Sequence, residues 1–149
     1  MPKLSVVMGV FNGELYLDAA VASILNQTFR DFEFIIVDDC STDGTADMLA
    51  RQAAADDRIV VIRNPENLGL TRSLNVGLRA AAGDYIARMD ADDIAMPERF
   101  ERQVGFLDSH PQHVLVGASV LVTDAAGAVR HADCRTVEDW EFAWTCLLR

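Results

Sequence analysis

Lysine is almost missing from this chain. Of thirteen basic residues in 149, only Lys3 is a lysine, against twenty-three acidic residues and a formal charge of −10. So acidic a chain repels a phosphate backbone, which argues against nucleic acid as a partner. Long apolar runs are absent too: none exceeds four residues, as at 34–37, far short of a membrane span. No charged-then-apolar segment opens the chain, so no leader is expected. The three cysteines, Cys40, Cys134 and Cys146, have no CxxC spacing. That excludes a zinc ribbon and a disulfide scaffold and fits reduced thiols in a cytoplasmic protein. Nor is there a GxGxxG after the first apolar segment, a GxxxxGK[ST] or a GxSxG, which removes the dinucleotide, Walker-type and nucleophile-elbow readings. His110, His113 and His131 lack metal-ligand spacing and read as solvated or structural.

What is present alternates short apolar runs with helical periods. Residues 4–10 predict a strand, and Leu17, Val21, Ile24 and Leu25 mark one face of a helix over 13–27. Residues 33–37 predict a strand buried on both faces, and the cap-rich stretch 41–45 opens a helix to about Ala55. A third strand over 59–62 leads through the turn 64–67 into a helix whose face is Leu70, Leu74, Gly77, Leu78 and Ala81. A fourth strand, 85–89, runs into Asp90-Ala91-Asp92-Asp93, and Pro97 fits the first turn of a helix burying Phe100, Val104 and Leu107. Residues 114–122 predict a strong strand, 128–132 a weak one after the turn 125–127, and 137–148 a helix. Repeated β-α units of this length imply an α/β fold, a doubly wound and mostly parallel sheet flanked by helices, within a single domain over 1–149.

Ligands of such sheets bind beyond the carboxyl ends of the strands. Three polar clusters land there: Phe11-Asn12, Asp38-Asp39 and the Asp90–Asp93 run. One aspartate pair after a strand is a common turn or cap. Two acidic clusters on one edge favour a site, and five carboxylates there would repel one another without a hard divalent cation such as Mg²⁺ or Mn²⁺. A phospho-receiver domain or a haloacid-dehalogenase-like phosphatase would need a lysine further on, and Lys3 precedes the first strand.

The ordered segments 4–13, 23–28, 37–45, 67–70, 73–75 and 83–93 resemble the opening of the family 2 glycosyltransferases, inverting, nucleotide-sugar-dependent enzymes of the GT-A fold, a Rossmann-like architecture. The resemblance covers roughly residues 4–123. It implies that Phe11 packs on the nucleobase, that Asp39 accepts a hydrogen bond from the base, usually uracil, and that Asp38 orients the loop. It further implies that Asp90 and Asp92 form a DxD motif, Asp90 toward ribose and metal and Asp92 as the direct metal ligand. Asn67 and Arg72 stand where the family often places polar or basic groups near the nucleotide; for Arg72 a solvated helix face is an equal alternative. Arg88 is a cation beside the acidic cluster and can serve to neutralise it. Gly9 departs from the proline usual at that position.

The implied reaction is metal-assisted transfer, with inversion, from a nucleotide-diphosphate donor, foremost a UDP-sugar, to a hydroxyl of an unidentified glycan, lipid or protein acceptor. The family's catalytic base belongs to a later Glu-Asp motif. Glu138-Asp139 is such a pair, but it comes early and opens an apparent helix, where acidic residues suit the helix dipole, so Asp139 is a weak candidate. The base is expected beyond Arg149, in a longer enzyme of which this chain is the nucleotide-sugar-binding part. The alternative is a non-catalytic nucleotide-sugar-binding module. Cytoplasmic placement is expected, with peripheral association at the inner membrane face through a further C-terminal part. Self-association is expected through apolar surface around Trp140, Phe142 and Trp144.

Overall fold

The computed structural model of the chain describes residues 1–124, 128–133 and 147–148. In chain order it forms β1 (Leu4–Val10), α1 (Leu17–Leu25), β2 (Phe32–Asp38), α2 (Thr45–Ala55), β3 (Ile59–Arg63), α3 (Leu70–Ala80), β4 (Tyr85–Asp90) and α4 (Arg99–Ser109). Then follow β5 (Leu115–Val116), β6 (Val120–Thr123), β7 (Val129–Asp133) and β8 (Leu147–Leu148). The main sheet has the order β3-β2-β1-β4-β8-β5, and its first four strands are parallel. β8 runs antiparallel to both neighbours, and β6 and β7 form a separate antiparallel pair. The doubly wound, mostly parallel α/β sheet expected from the sequence is therefore present.

The alternation of side chains along a strand divides the packing into two layers. Leu4, Val6, Met8 and Val10 of β1, with Phe34 and Ile36 of β2, share one core with Leu17, Val21 and Ile24 of α1 and Phe100, Val104 and Leu107 of α4. Each large side chain fully buried there contributes roughly 1.5–3 kcal/mol. On the opposite face α3 approaches so closely that a Cβ added at Gly77 would lie 2.6 Å from Val7 Cγ1 and 3.2 Å from Val37 Cγ2.

Gly83 is tighter still: a Cβ there would meet the Ser5 nitrogen at 2.6 Å and the Leu4 carbonyl carbon at 2.7 Å, both main chain of the central strand. Its N–H donates to Ser5 Oγ at 2.8 Å, and Ser5 Oγ donates to Glu33 Oε1 at 2.5 Å. Backbone cannot step aside, so Gly83→Ala is expected to destabilise the fold by about 2–3 kcal/mol, lowering the thermal midpoint by roughly 5–10 °C. Calorimetric melts of the two proteins check this; an unchanged midpoint would contradict the packing at that corner.

Several expectations are corrected. The first helix starts at Leu17, after the cap Tyr16 at φ −120°, while Gly13 and Glu14 donate their N–H groups to Thr45 Oγ1 and Asp43 Oδ2. α3 buries Ser73 and Gly77, while Leu70 and Leu78 are exposed, since close approach to the sheet selects small residues over large ones. Pro97 lies outside α4, before the Glu98 cap; its carbonyl accepts the Thr28 N–H at 2.8 Å. The single strand expected over 114–122 is broken at 117–119 into β5 and β6, which belong to different sheets. Leu147–Leu148, expected as the end of a helix, is the strand β8. The remainder of that helix, with Glu138, Asp139, Trp140, Phe142, Trp144 and Cys146, lies outside the described residues, as do Cys134 and the turn 125–127. Among the described residues no helix is long and apolar enough to cross a membrane.

Candidate functional site

Parallel strands bring the carboxyl ends of β2, β1 and β4 to one edge, in that order. Val10 pairs with Asp38 and Gly9 with Asp90. The acidic ends of β2 and β4 thus stand two strands apart, about 10 Å at ordinary strand spacing. The loops after β1 and β2 are laced to each other. Asn12, in the left-handed region at φ 53°, accepts the Thr42 N–H on its Oδ1 at 2.8 Å, and its own N–H donates to Ser41 Oγ at 3.0 Å. Asparagine tolerates that conformation better than most residues. The lacing leaves the neighbouring Phe11 ring 49% exposed.

Beside this loop lies an open cleft of about 510 Å³. Phe11, Tyr16 and Leu70 supply its apolar lining, and Arg88, Asp90 and Asp92 its charged lining, over a floor that includes Gly9. Gly9 matters as a floor: a Cβ there would come 3.2 Å from Leu70 Cδ1. Of the residues singled out in the sequence, Phe11, Asp90 and Asp92 therefore share one cavity. Tyr16 and Leu70 were missed. Tyr16 precedes α1 and belongs to no apolar stripe, while Leu70 was assigned to a buried helix face; exposed apolar side chains at loop–helix junctions are the signal that could have found both.

Asp39, Asn67 and Arg72 are not among the lining residues. Asp39 is 3% exposed and acts as a latch for the loop 64–69. Its Oδ1 accepts from Asn64 Nδ2 at 2.7 Å and the Leu68 N–H at 2.8 Å, and its Oδ2 accepts from the Gly69 N–H at 2.8 Å. Gly69, at φ 81°, turns the chain into α3 there. Asn67 is exposed within the latched loop and Arg72 exposed on the first turn of α3. Asp38 accepts the Ser41 N–H at 2.9 Å and pairs with Arg63 at 3.1 Å, the loop-orienting part expected of it. The expected convergence of five carboxylates on one cation is accordingly corrected: Asp38 and Asp39 are engaged by protein donors. Among the described residues no three His, Cys, Asp or Glu side chains are grouped to hold a metal.

Burial by itself would push the Asp39 carboxyl up, but hydrogen bonds from Leu68, Asn64, Ser73 and Gly69 outweigh it and hold it below the usual carboxylate range. A carboxyl depressed by folding stabilises fully above its unfolded pKa of about 4 and loses that contribution as pH falls through the folded value. Urea midpoints of the wild type are therefore expected to drop from pH 5 to pH 2, and those of Asp39→Asn to drop less, starting from a lower value at pH 7. Parallel curves for the two proteins would contradict the latch.

At the other side of the cleft, Arg88 Nη2 donates to Asp90 Oδ1 at 2.6 Å, and Arg99 Nη2 reaches the Arg88 carbonyl at 2.9 Å. Asp92 is exposed. Burial first, and then the charges of Asp90 and Asp92, push the Asp93 carboxyl up. The two carboxylates on the wall, Asp90 and Asp92, fit a hard cation of the Mg²⁺ class, which commonly takes one or two carboxylates and completes its shell with water and substrate phosphate.

The family model described as glycosyl transferase family 2 matches residues 5–145. The putative glycosyltransferase EpsE of Bacillus subtilis is 48% identical over 128 residues, which are 85% of this chain and 46% of that protein. The crystal structure of S. aureus TarS 1–349 in complex with UDP superposes with a TM-score of 0.71 at 29% identity, over 77% of this chain and 34% of that one. The mannosyltransferase PcManGT from Pyrobaculum calidifontis, in complex with GDP-Man and Mn²⁺, gives a TM-score of 0.70 at 26% identity, over 83% and 36%. The chain thus spans less than half the length of these relatives.

Proposed function

The chain belongs to glycosyl transferase family 2, and from that premise we propose that its cleft is the donor site for a nucleotide-diphosphate sugar, foremost a UDP-sugar. One observation carries the reading: Phe11, Asp90 and Asp92 line a single cavity at the carboxyl ends of β1 and β4. The flat rings of Phe11 and Tyr16 offer the nucleobase a stacking surface. Asp39 holds the loop that leads into Leu70 of the cleft lining, and its part toward the base would run through that loop. Asn67 and Arg72 lie on and just after that loop, where they can meet the nucleotide. Asp92 would ligate Mg²⁺ or Mn²⁺ directly, with Asp90 beside it toward the ribose and the ion. Such an ion, when bound, stabilises the charge developing on the diphosphate leaving group.

The transfer proposed is direct displacement at the anomeric carbon, with inversion, onto an acceptor hydroxyl. The complexes of TarS with UDP and of PcManGT with GDP-Man and Mn²⁺ support a nucleotide donor and a divalent ion, and they differ on the base. Titration calorimetry with UDP and GDP, with Mn²⁺ and with EDTA, tests the reading. Tighter binding of UDP than of GDP, and tighter with Mn²⁺ than with EDTA, is the expected result; no binding of either would overturn it. A second reading, donor binding without transfer, is supported by the lining. Among the described residues Asp90 and Asp92 are the only carboxylates of the cleft, and Asp139 lies outside them. Release of UDP from a UDP-sugar on adding an acceptor would decide for transfer.

A further inference from the structure

The acidic run at the end of β4 looks like a ready-made cation trap in the sequence, yet its first carboxylate, Asp90, is answered from within the fold. Asp90 is held by Arg88 at 2.6 Å, both side chains part-buried at 22% exposure for Arg88 and 35% for Asp90. At that depth an ion pair is screened far less than at the surface. Arg88 cannot shed its charge, and its planar guanidinium suits a carboxylate or a phosphate equally. α4 adds a second guanidinium. Arg99 is anchored on the Arg88 carbonyl and on Gln103 Oε1. Asp90 is thus answered by Arg88, and the exposed Asp92 presents its charge to the cleft.

Building on the donor-site reading, we propose that Arg88 is a positioning residue that withholds Asp90 from a bare divalent cation, so that the cleft selects the cation already joined to a diphosphate. A bare ion meets one carboxylate that is not ion-paired and the repulsion of Arg88. A cation carrying a diphosphate brings its own oxygen ligands, needs only Asp92, and presents phosphate oxygens to the guanidinium. Metal and nucleotide then enter together.

The test measures Mn²⁺ affinity in the absence of nucleotide, by electron paramagnetic resonance of free Mn²⁺, and UDP affinity at fixed Mn²⁺ by calorimetry. Removing one unit of positive charge a few ångströms from the ion is worth roughly a factor of ten. Arg88→Met and Arg88→Gln are both expected to bind bare Mn²⁺ about ten-fold more tightly than wild type, with no gain in UDP affinity. Arg88→Lys, which keeps the charge, is expected to stay near wild type. A residue that merely supports the strand would leave bare Mn²⁺ affinity unmoved in all three. Equal Mn²⁺ affinities for wild type, Arg88→Met and Arg88→Gln would overturn the assignment even where wild type binds UDP with Mn²⁺. The ten-fold ratio without any UDP binding would instead overturn the donor-site reading.

Discussion

Exchange of Asp92 for asparagine is expected to weaken UDP binding in Mn²⁺ by roughly 10- to 100-fold, and to leave binding in EDTA unchanged. The magnitude follows from losing a charged oxygen ligand, worth about 1.5–3 kcal/mol as a charge-assisted contact. The metal dependence follows from position. Asp92 is exposed on the cleft wall, whereas Asp90 already engages Arg88. The substitution should also leave the fold alone, since an exposed carboxylate at a turn seldom changes stability by more than about 0.5 kcal/mol. Calorimetry of both proteins, with and without Mn²⁺, reads all of this. Equal losses in Mn²⁺ and in EDTA would mean that Asp92 touches the nucleotide and not the ion.

Phe11→Ala should weaken the same ligand by a comparable amount through a different cause. Stacking of a base on an aromatic ring is worth about 1–3 kcal/mol, or roughly 5- to 100-fold. The loss is expected to persist in EDTA, because no charge is involved. It should be as large for GDP as for UDP wherever GDP binds, because an aromatic face is indifferent to the base. The ring is 49% exposed, so little packing is lost with it. A fall in UDP affinity that vanished without Mn²⁺, or a melting temperature several degrees lower, would contradict this role. Phe11 and Asp92 should act independently, since the one meets the base and the other the ion at the diphosphate.

How far the sequence reached depends on where the determining contact lies. β1 to β4 and α4 were legible because each carries its own apolar run or stripe, as with Phe100, Val104 and Leu107. The face expected for α3 is buried only in part: Gly77 is, while Leu70 and Leu78 are exposed. Periodicity marks large apolar residues, but the sheet accepts the helix through Ser73 and Gly77, whose smallness matters only once Val7 and Val37 lie opposite. The break at 117–119 escaped for a similar reason: pairing with β8 or β7, not propensity, decides where a strand stops.

The site divides the same way. Phe11, Asp90 and Asp92 follow directly from strand ends, and the sheet delivers them together. Asp39 also stands at a strand end, but its hydrogen bonds go to residues 25 to 30 positions away, so the latch is a tertiary fact. Arg88 was legible as a neighbour of the acidic run, two residues from Asp90 on the same strand face. That its charge is spent on Asp90 is a matter of side-chain geometry, which residue spacing does not carry.

Diffraction from crystals grown with UDP and Mn²⁺ tests the central claim most directly. An anomalous Mn²⁺ peak is expected about 2.0–2.3 Å from an Asp92 carboxylate oxygen and from the diphosphate, with the uracil stacked on Phe11. An ion or a nucleotide bound elsewhere on the molecule, with this cleft empty, would contradict it.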